Sequence, residues 1–276
     1  MRTIHLSALK IGVLATALSL SSIASVQAVA IHDAGLFTNT LASNDDGSTA
    51  LVNLGFNVNF FGSNFTSLYV NNNGNVTFNA ALGTFTPFSL LSTSTPMLAP
   101  FFADVDTRNS NNVQYGQATL GGQAVFGVNW IDVGYYNSQA NPLNSFQLII
   151  TDRSDIAAGD FDFEFNYDQI LWETGSASGG TGGFGGNSAR AGWSNGLTQS
   201  FEIAGSAING GLLDGNATTG LINNSLNSAI NGQYIFQVRN GQINGGSVPE
   251  PTAIALLALG FAGLVVMRQR KVVKSI

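Results

Sequence analysis

The chain contains no cysteine, which removes disulfide staples, thiolate metal ligands and cysteine nucleophiles together. Histidine is almost as scarce. His5 sits in the first few residues, which leaves His32 alone in the body of the chain. A serine–histidine–aspartate triad would have to be built on that one residue, close to a chain terminus where fraying is expected, so hydrolysis by that route is disfavoured. Lysine is missing from residues 31–248 altogether. Arg108, Arg153, Arg190 and Arg239 stand there against fifteen acids, a body charge of about −11 compared with −6 for the whole chain. Such a surface repels phosphate backbones and anionic lipids, which excludes nucleic-acid binding by simple electrostatics. It is compatible with divalent cations, or with solubility alone.

The missing cations are at the two ends. Arg2 and Lys10 precede an apolar stretch over residues 11–20, and small residues follow, with Ala28 and Ala30 as alternative cleavage positions. This is the layout of a secretory signal peptide over residues 1–30; the competing reading is a buried N-terminal helix. At the other end, Val248-Pro249-Glu250-Pro251 precedes an apolar run over residues 252–267, which the cations Arg268, Arg270 and Lys271 close. Proline bars an earlier helix start, and the terminal cations hold a membrane helix with its end inside. The run of 16 residues is short of the about 20 needed to span a bilayer, and snorkelling arginine stems reduce the deficit.

Together these C-terminal residues, 248–276, resemble the PEP-CTERM sorting signal of Gram-negative bacteria. The resemblance implies a transmembrane helix, recognition of the Pro-Glu-Pro motif by an exosortase, and transient inner-membrane anchoring. The cargo is then delivered to the cell surface or the extracellular matrix. A permanent single-pass anchor is the alternative, with the same topology.

Between the ends, apolar and polar residues alternate with period 2, and no long stretch holds a 3.6-residue period. Strands are expected at 54–60, 68–70, 76–78, 113–120, 123–130, 145–152, 160–167, 189–193, 200–204 and 232–238. Asn73-Gly74 between Val70 and Val76 is a hairpin signal, because both residues tolerate positive φ. A Gly/Ser-rich stretch over 175–188 reads as a mobile surface loop, 222–230 as a helical turn, and 241–247 as a flexible stalk. The expected fold is all-β: a single antiparallel β-sandwich-like domain over residues 31–240.

Several body segments are similar, in order, to the elements of nidogen-like (NIDO) domains. Leu68-Tyr69-Val70-Asn71-Asn72-Asn73-Gly74-Asn75-Val76-Thr77-Phe78 resembles that family's early hairpin. Ala99-Pro100-Phe101-Phe102-Ala103-Asp104-Val105-Asp106-Thr107-Arg108 resembles its Pro-Phe…Asp-x-Asp element. Val128–Tyr135, Ser145–Ile150, Phe165–Tyr167 with Trp172, and Ala191–Gly196 are similar to later strands. The likeness covers roughly residues 50–205. It implies an extracellular interaction or matrix module, adhesive or structural, with no catalytic residues to carry over. The EGF-like modules that accompany this domain in animal matrix proteins have no counterpart in the sequence.

Candidate chemistry is sparse. Asp104 and Asp106 could ligate Ca²⁺ through clustered oxygens, or serve a turn with Arg108 as ion-pair partner. Asn44-Asp45-Asp46-Gly47-Ser48 resembles half of a calcium loop without the distal glutamate, and otherwise reads as an Asp-Gly turn. Asp162, Glu164 and Asp168 have the spacing of a glycosidase pair and nothing else to single them out. Asp152-Arg153-Ser154-Asp155 and Asp160 read as a solvated hairpin tip. Tyr135 and Tyr136 are the aromatics expected to be exposed for stacking on a sugar, while Trp130, Trp172 and Trp193 read as core. The expectation is a non-enzymatic protein with no cofactor, Ca²⁺ aside. Its expected partners are the export machinery and an exopolysaccharide or biofilm matrix; a matrix hydrolase is the rival.

Overall fold

The structure is a computed structural model and describes residues 30–244. The expected cleavage position Ala28 and the expected sorting residues from Val248 onward, including Arg268, Arg270 and Lys271, lie outside the described residues. In chain order the strands are β1 (Asn39–Thr40), β2 (Val52–Phe60), β3 (Ser63–Asn71), β4 (Asn75–Thr77), β5 (Pro96–Phe102), β6 (Val105–Asp106) and β7 (Gln114–Leu120). They continue with β8 (Gln123–Tyr135), β9 (Gln139–Asp152), β10 (Phe161–Gln169), β11 (Arg190–Asn195), β12 (Ser200–Glu202), β13 (Gln233–Arg239) and β14 (Gln242–Asn244). Among the described residues helical structure is limited to three short 3₁₀ turns, and no helix is long and apolar enough to cross a membrane.

The strands form two antiparallel sheets. One is ordered β1-β7-β8-β9-β10-β13-β14, with β6 also on β8, and the other β12-β11-β5-β4-β3-β2. Period 2 explains how they meet. On β10, Phe161, Phe163 and Phe165 are fully buried while Asp162 and Glu164 face the other way. The apolar faces of the two sheets share one core, with ring contacts between them such as Phe101–Phe146 at 5.3 Å and Phe60–Phe161 at 6.2 Å. This is the aligned face-to-face packing that half-apolar strands require.

The outer face of the larger sheet is covered in part by the chain's own beginning. Phe37 is buried against Val125 and Ile149, in space that a side chain at Gly127 would fill: a Cβ there would lie 2.0 Å from the Phe37 ring. Upstream, the His32 backbone N donates to Gln147 Oε1 (3.0 Å), and its Nε2 lies 2.7 Å from Glu164 Oε1. His32 is therefore tied across β9 and β10 rather than frayed. Hydrogen bonding to Glu164 raises its pKa, against the opposing effect of burial.

The hairpin loop between β3 and β4 is polar but not exposed. Asn71, Asn72, Asn73 and Asn75 are each at most 1% exposed. A buried amide without partners is costly, and these amides have partners far along the chain. Asn72 Nδ2 donates to Val105 O (2.6 Å) and to Asp45 O, and its Oδ1 accepts from Thr107 Oγ1 (3.2 Å). Asn73 Oδ1 accepts from Val105 N (2.9 Å), and Trp130 Nε1 donates to Asn72 O (3.0 Å). Gly74, at φ +70°, lets Phe101 O approach so closely that a Cβ would lie 1.8 Å from it.

Four expectations differ from the structure. Strand β5 gave no alternation because every residue in it is buried, so period 2 was invisible there. The Gly-rich stretch 175–188 is folded on itself: Glu173 N and Thr174 N donate to Gly183 O (2.8 and 3.1 Å), and Asn187 N to Ser178 O (2.9 Å). The start of the expected stalk is strand β14, paired to β13 at Val238↔Ile243. Within 222–230, only the turn Leu221–Asn223 is helical, and Leu226 bridges to Tyr234.

These contacts set three outcomes. Gly74→Ala combines a left-handed φ with a backbone clash and should cost about 3 kcal/mol or more, read from the urea midpoint. Asn72→Ala strands several buried groups and should cost roughly 3 kcal/mol in the same assay. The His32 contribution is complete below the unfolded value of about 6.5 and is lost as pH rises through the higher folded value. Hydrogen exchange should therefore show protection of residues 32–37 falling as pH rises above about 6.5, with no such change in His32→Gln.

Candidate functional site

At the end of the sandwich that carries the buried asparagine loop, four carboxylates converge. Asp45 and Asp46 come from the turn before β2, Asp104 from the junction of β5 and β6, and Asp106 from β6 itself. The turn is placed by local chemistry: Asn44 Oδ1 accepts from Gly47 N (2.6 Å). It is docked by Asn44 and Thr107, whose backbone and hydroxyl groups exchange bonds of 2.9–3.0 Å, and by Asn72 N donating to Gly47 O (2.9 Å).

Of the two readings of Asp104 and Asp106, the structure shows the ion pair with Arg108, made by Asp106. Asp106 is fully taken up: Arg108 Nε and backbone N donate to Oδ1 (2.9 and 3.0 Å), and Ser138 N to Oδ2 (2.7 Å), beside a contact from Arg108 Nη2. Burial acts to raise its pKa, but these donors outweigh it and the carboxyl is held below its ordinary value. Asp104, only two residues away, points elsewhere. One carboxylate oxygen each from Asp45, Asp46 and Asp104 lie within 4.8 Å of one another. Asp46 Oδ1 accepts from Asn73 Nδ2 (2.9 Å), and Asp45 Oδ2 lies 3.1 Å from Arg108 Nη2. Asp104 is pushed up to about 7, first by burial and then by Asp45, Asp46 and Asp106; burial and the same neighbourhood push Asp45 to about 6. The two sequence fragments that carry these acids are each legible, but their meeting depends on the docking of residue 44 onto residue 107.

The remaining acids are engaged in structure. Arg153 Nη1 and Arg239 Nη1 lie 2.9 and 2.6 Å from the two oxygens of Asp162, and Arg153 also binds Asp155. Glu164 is held by His32 and by Gln233 Nε2 (3.0 Å). Asp168 is exposed beside them. Asp162 and Glu164 thus make ion pairs and hydrogen bonds along β10 while Asp168 faces solvent, and a glycosidase would need two carboxyls placed across a cleft.

Among the aromatics, Trp130, Trp172 and Trp193 are core residues, as expected. Tyr135 is not exposed: it is 4% accessible, packed at 5.4 Å on the Trp172 ring. It lies on the inward side of β8, which runs on past the strand end expected at residue 130. Tyr136 is half-buried, with the Arg108 guanidinium 5.7 Å from its ring centre. Its carbonyl accepts from Ser176 N (3.1 Å), so the folded Gly-rich loop sits against it. That loop carries Phe184, which is 47% exposed. Phe184 and Leu171 line a shallow cleft of about 600 Å³ together with Asp214 and Asn216. Composition alone gave no sign of this aromatic, because its exposure follows from how the loop folds back.

Comparison with known proteins agrees with this architecture. The nidogen-like domain model matches residues 66–240, and the PEP-CTERM protein-sorting motif matches residues 247–271, which implies processing by an exosortase. Alpha-tectorin of Homo sapiens is 36% identical over 189 residues, covering 59% of this chain and 8% of that protein. The Gallus gallus protein of the same name is 34% identical over an equal length, covering 9% of it. Nidogen of Drosophila melanogaster is 27% identical over 157 residues, covering 48% of this chain and 11% of its own length. The chain thus spans about a tenth of the length of the curated relatives it matches. No solved structure matches. Neither matched family is an enzyme family. With the family match covering most of a two-sheet fold built around the buried asparagine hairpin, the chain belongs to the nidogen-like domain family and carries a PEP-CTERM sorting motif.

Proposed function

We propose that this is an exported, exosortase-sorted protein whose nidogen-like domain acts as a structural or adhesive component of an exopolysaccharide or biofilm matrix. The observation that carries the reading is the direct succession of domain and sorting motif. The nidogen-like match ends at residue 240 and the sorting match begins at residue 247, so the domain itself is the cargo. The inner-membrane anchor is transient, and removal of the C-terminal helix releases the domain to the surface or beyond.

The surface suits that role. Each arginine of the body is committed to an acid of the same chain. Recognition is then left to uncharged amide and hydroxyl groups and to half-exposed aromatics. Tyr136 and Phe184 sit on adjoining parts of one end of the sandwich and offer faces on which a sugar ring can stack; buried Tyr135 supports Tyr136 from within. Signal-peptide cleavage after Ala28 fits better than after Ala30, because Ala30 is 4% exposed and its Cβ packs close to Gly232.

Mass spectrometry of the matrix-associated protein should find a chain that starts at Val29 and lacks everything after Pro251. Purified matrix exopolysaccharide should retain the secreted protein, and Tyr136→Ala with Phe184→Ala should weaken retention by about tenfold or more at unchanged Tm. Equal retention by the double variant would remove these residues from the contact. Release of new reducing ends, lost in Asp162→Asn or Glu164→Gln, would replace adhesion with hydrolysis.

A further inference from the structure

We propose that Asp45, Asp46 and Asp104 hold a hard divalent cation of the calcium type. The spacing suits one: three carboxylate oxygens lie within 4.8 Å of one another, and oxygens bonded at 2.3–2.6 Å to a shared Ca²⁺ stand up to about 5 Å apart. The second observation is Asp104 itself. It is 1% exposed, and its buried Oδ2 has no hydrogen-bond donor; Asp45 Oδ1 is likewise buried and without one. Buried carboxylates are normally paired, hydrogen-bonded or bound to a metal.

Among the described residues the surroundings provide no other partner. Arg108, the cation at this end, is spent on both oxygens of Asp106 and on Asp45 Oδ2. On its other side Asp104 Oδ2 meets Gly175, where a Cβ would lie 2.2 Å away. Glycine there keeps the space free of any side-chain donor. With only carboxylate oxygens in the cluster, soft and borderline metals are poorly matched. Ligands drawn from a turn and a strand junction suit the adaptable coordination of Ca²⁺ better than the strict octahedron of Mg²⁺. Water and backbone oxygens complete the shell. Such an ion ties the turn at residues 44–48 to the β5–β6 junction, beside the asparagine loop, and it stands independently of the matrix role.

The test uses the full chain purified in detergent and stripped with EDTA, with thermal unfolding followed at about pH 8. Calcium chloride at a hundredfold excess over a submillimolar Kd should raise Tm by about 5–10 °C, and calorimetry should give one ion per chain. Asp104→Asn should abolish the shift. Asp46→Asn should do so too, and as Asp46 is exposed and Asn keeps the acceptor for Asn73, this variant should stay folded. Asp168→Asn, on an exposed acid elsewhere, should retain the full shift. The proposal is overturned by a wild-type Tm indifferent to calcium, or by a shift that survives in both cluster variants. An equal shift with magnesium chloride would overturn the calcium assignment.

Discussion

The structure depends on burying a polar hairpin loop. Asn71, Asn72, Asn73 and Asn75 carry as many hydrogen-bonding groups as any surface turn, yet they lie under the sandwich where water does not reach. An unmet amide in that position would cost about 1–3 kcal/mol, a large share of a domain's marginal stability. Each group therefore dictates where another segment must run. Asn72 and Asn73 fix the β5–β6 junction through Val105; Asn72 receives the indole of Trp130 from the opposite sheet; the turn at residues 44–48 is drawn in through Asp45 O and Gly47 O. A loop of this kind is a locking piece: it converts local polarity into long-range register.

The same end of the molecule collects several of the charges that the fold leaves unmatched. A body with four arginines can neutralise few of its acids, and three of the arginines are placed where two carboxylates meet. Arg153 and Arg239 both close on Asp162, Arg190 pairs with Glu202, and Arg108 serves Asp106 and Asp45. Among the acids left without a cation of their own are Asp104 and Asp46, gathered with the free side of Asp45 beside the asparagine loop. A short-range attraction has been used up on a neighbour, so like charges stay together in a low-dielectric setting where their repulsion is strongest.

The other end of the argument from chemistry to role is the wall of aromatics between the sheets. With no disulfide to hold the fold, stability outside the cell rests on core area and on stacked rings, of which Phe163–Phe236 at 4.7 Å and Trp130–Phe146 at 5.2 Å are examples. A domain of this size buries enough apolar surface to dispense with staples. The surface can then be given over to uncharged polar groups.

Strand identity was largely legible because period 2 and Asn-Gly turns are local properties: Phe161, Phe163 and Phe165 announce their own face. The sorting residues were legible for the same reason, since proline, an apolar run and terminal cations act in sequence order. Strand β5 was not, because burial on both sides erases alternation. The folding of the Gly-rich loop was not, because glycine permits many conformations and only contacts with Tyr136 and Glu173 select one. Nor was the exposure of Tyr135, which depends on how far β8 continues past Trp130. By itself, then, the sequence determined the all-β class, the absence of thiol chemistry, and the sorting address, all consequences of composition and near-neighbour pattern. Tertiary structure alone decided that Asp106 belongs to Arg108 and Asp104 to Asp45 and Asp46. The second partnership joins residues some sixty positions apart, and the hydrogen bonds of buried Asn72 and Thr107 bring them within reach.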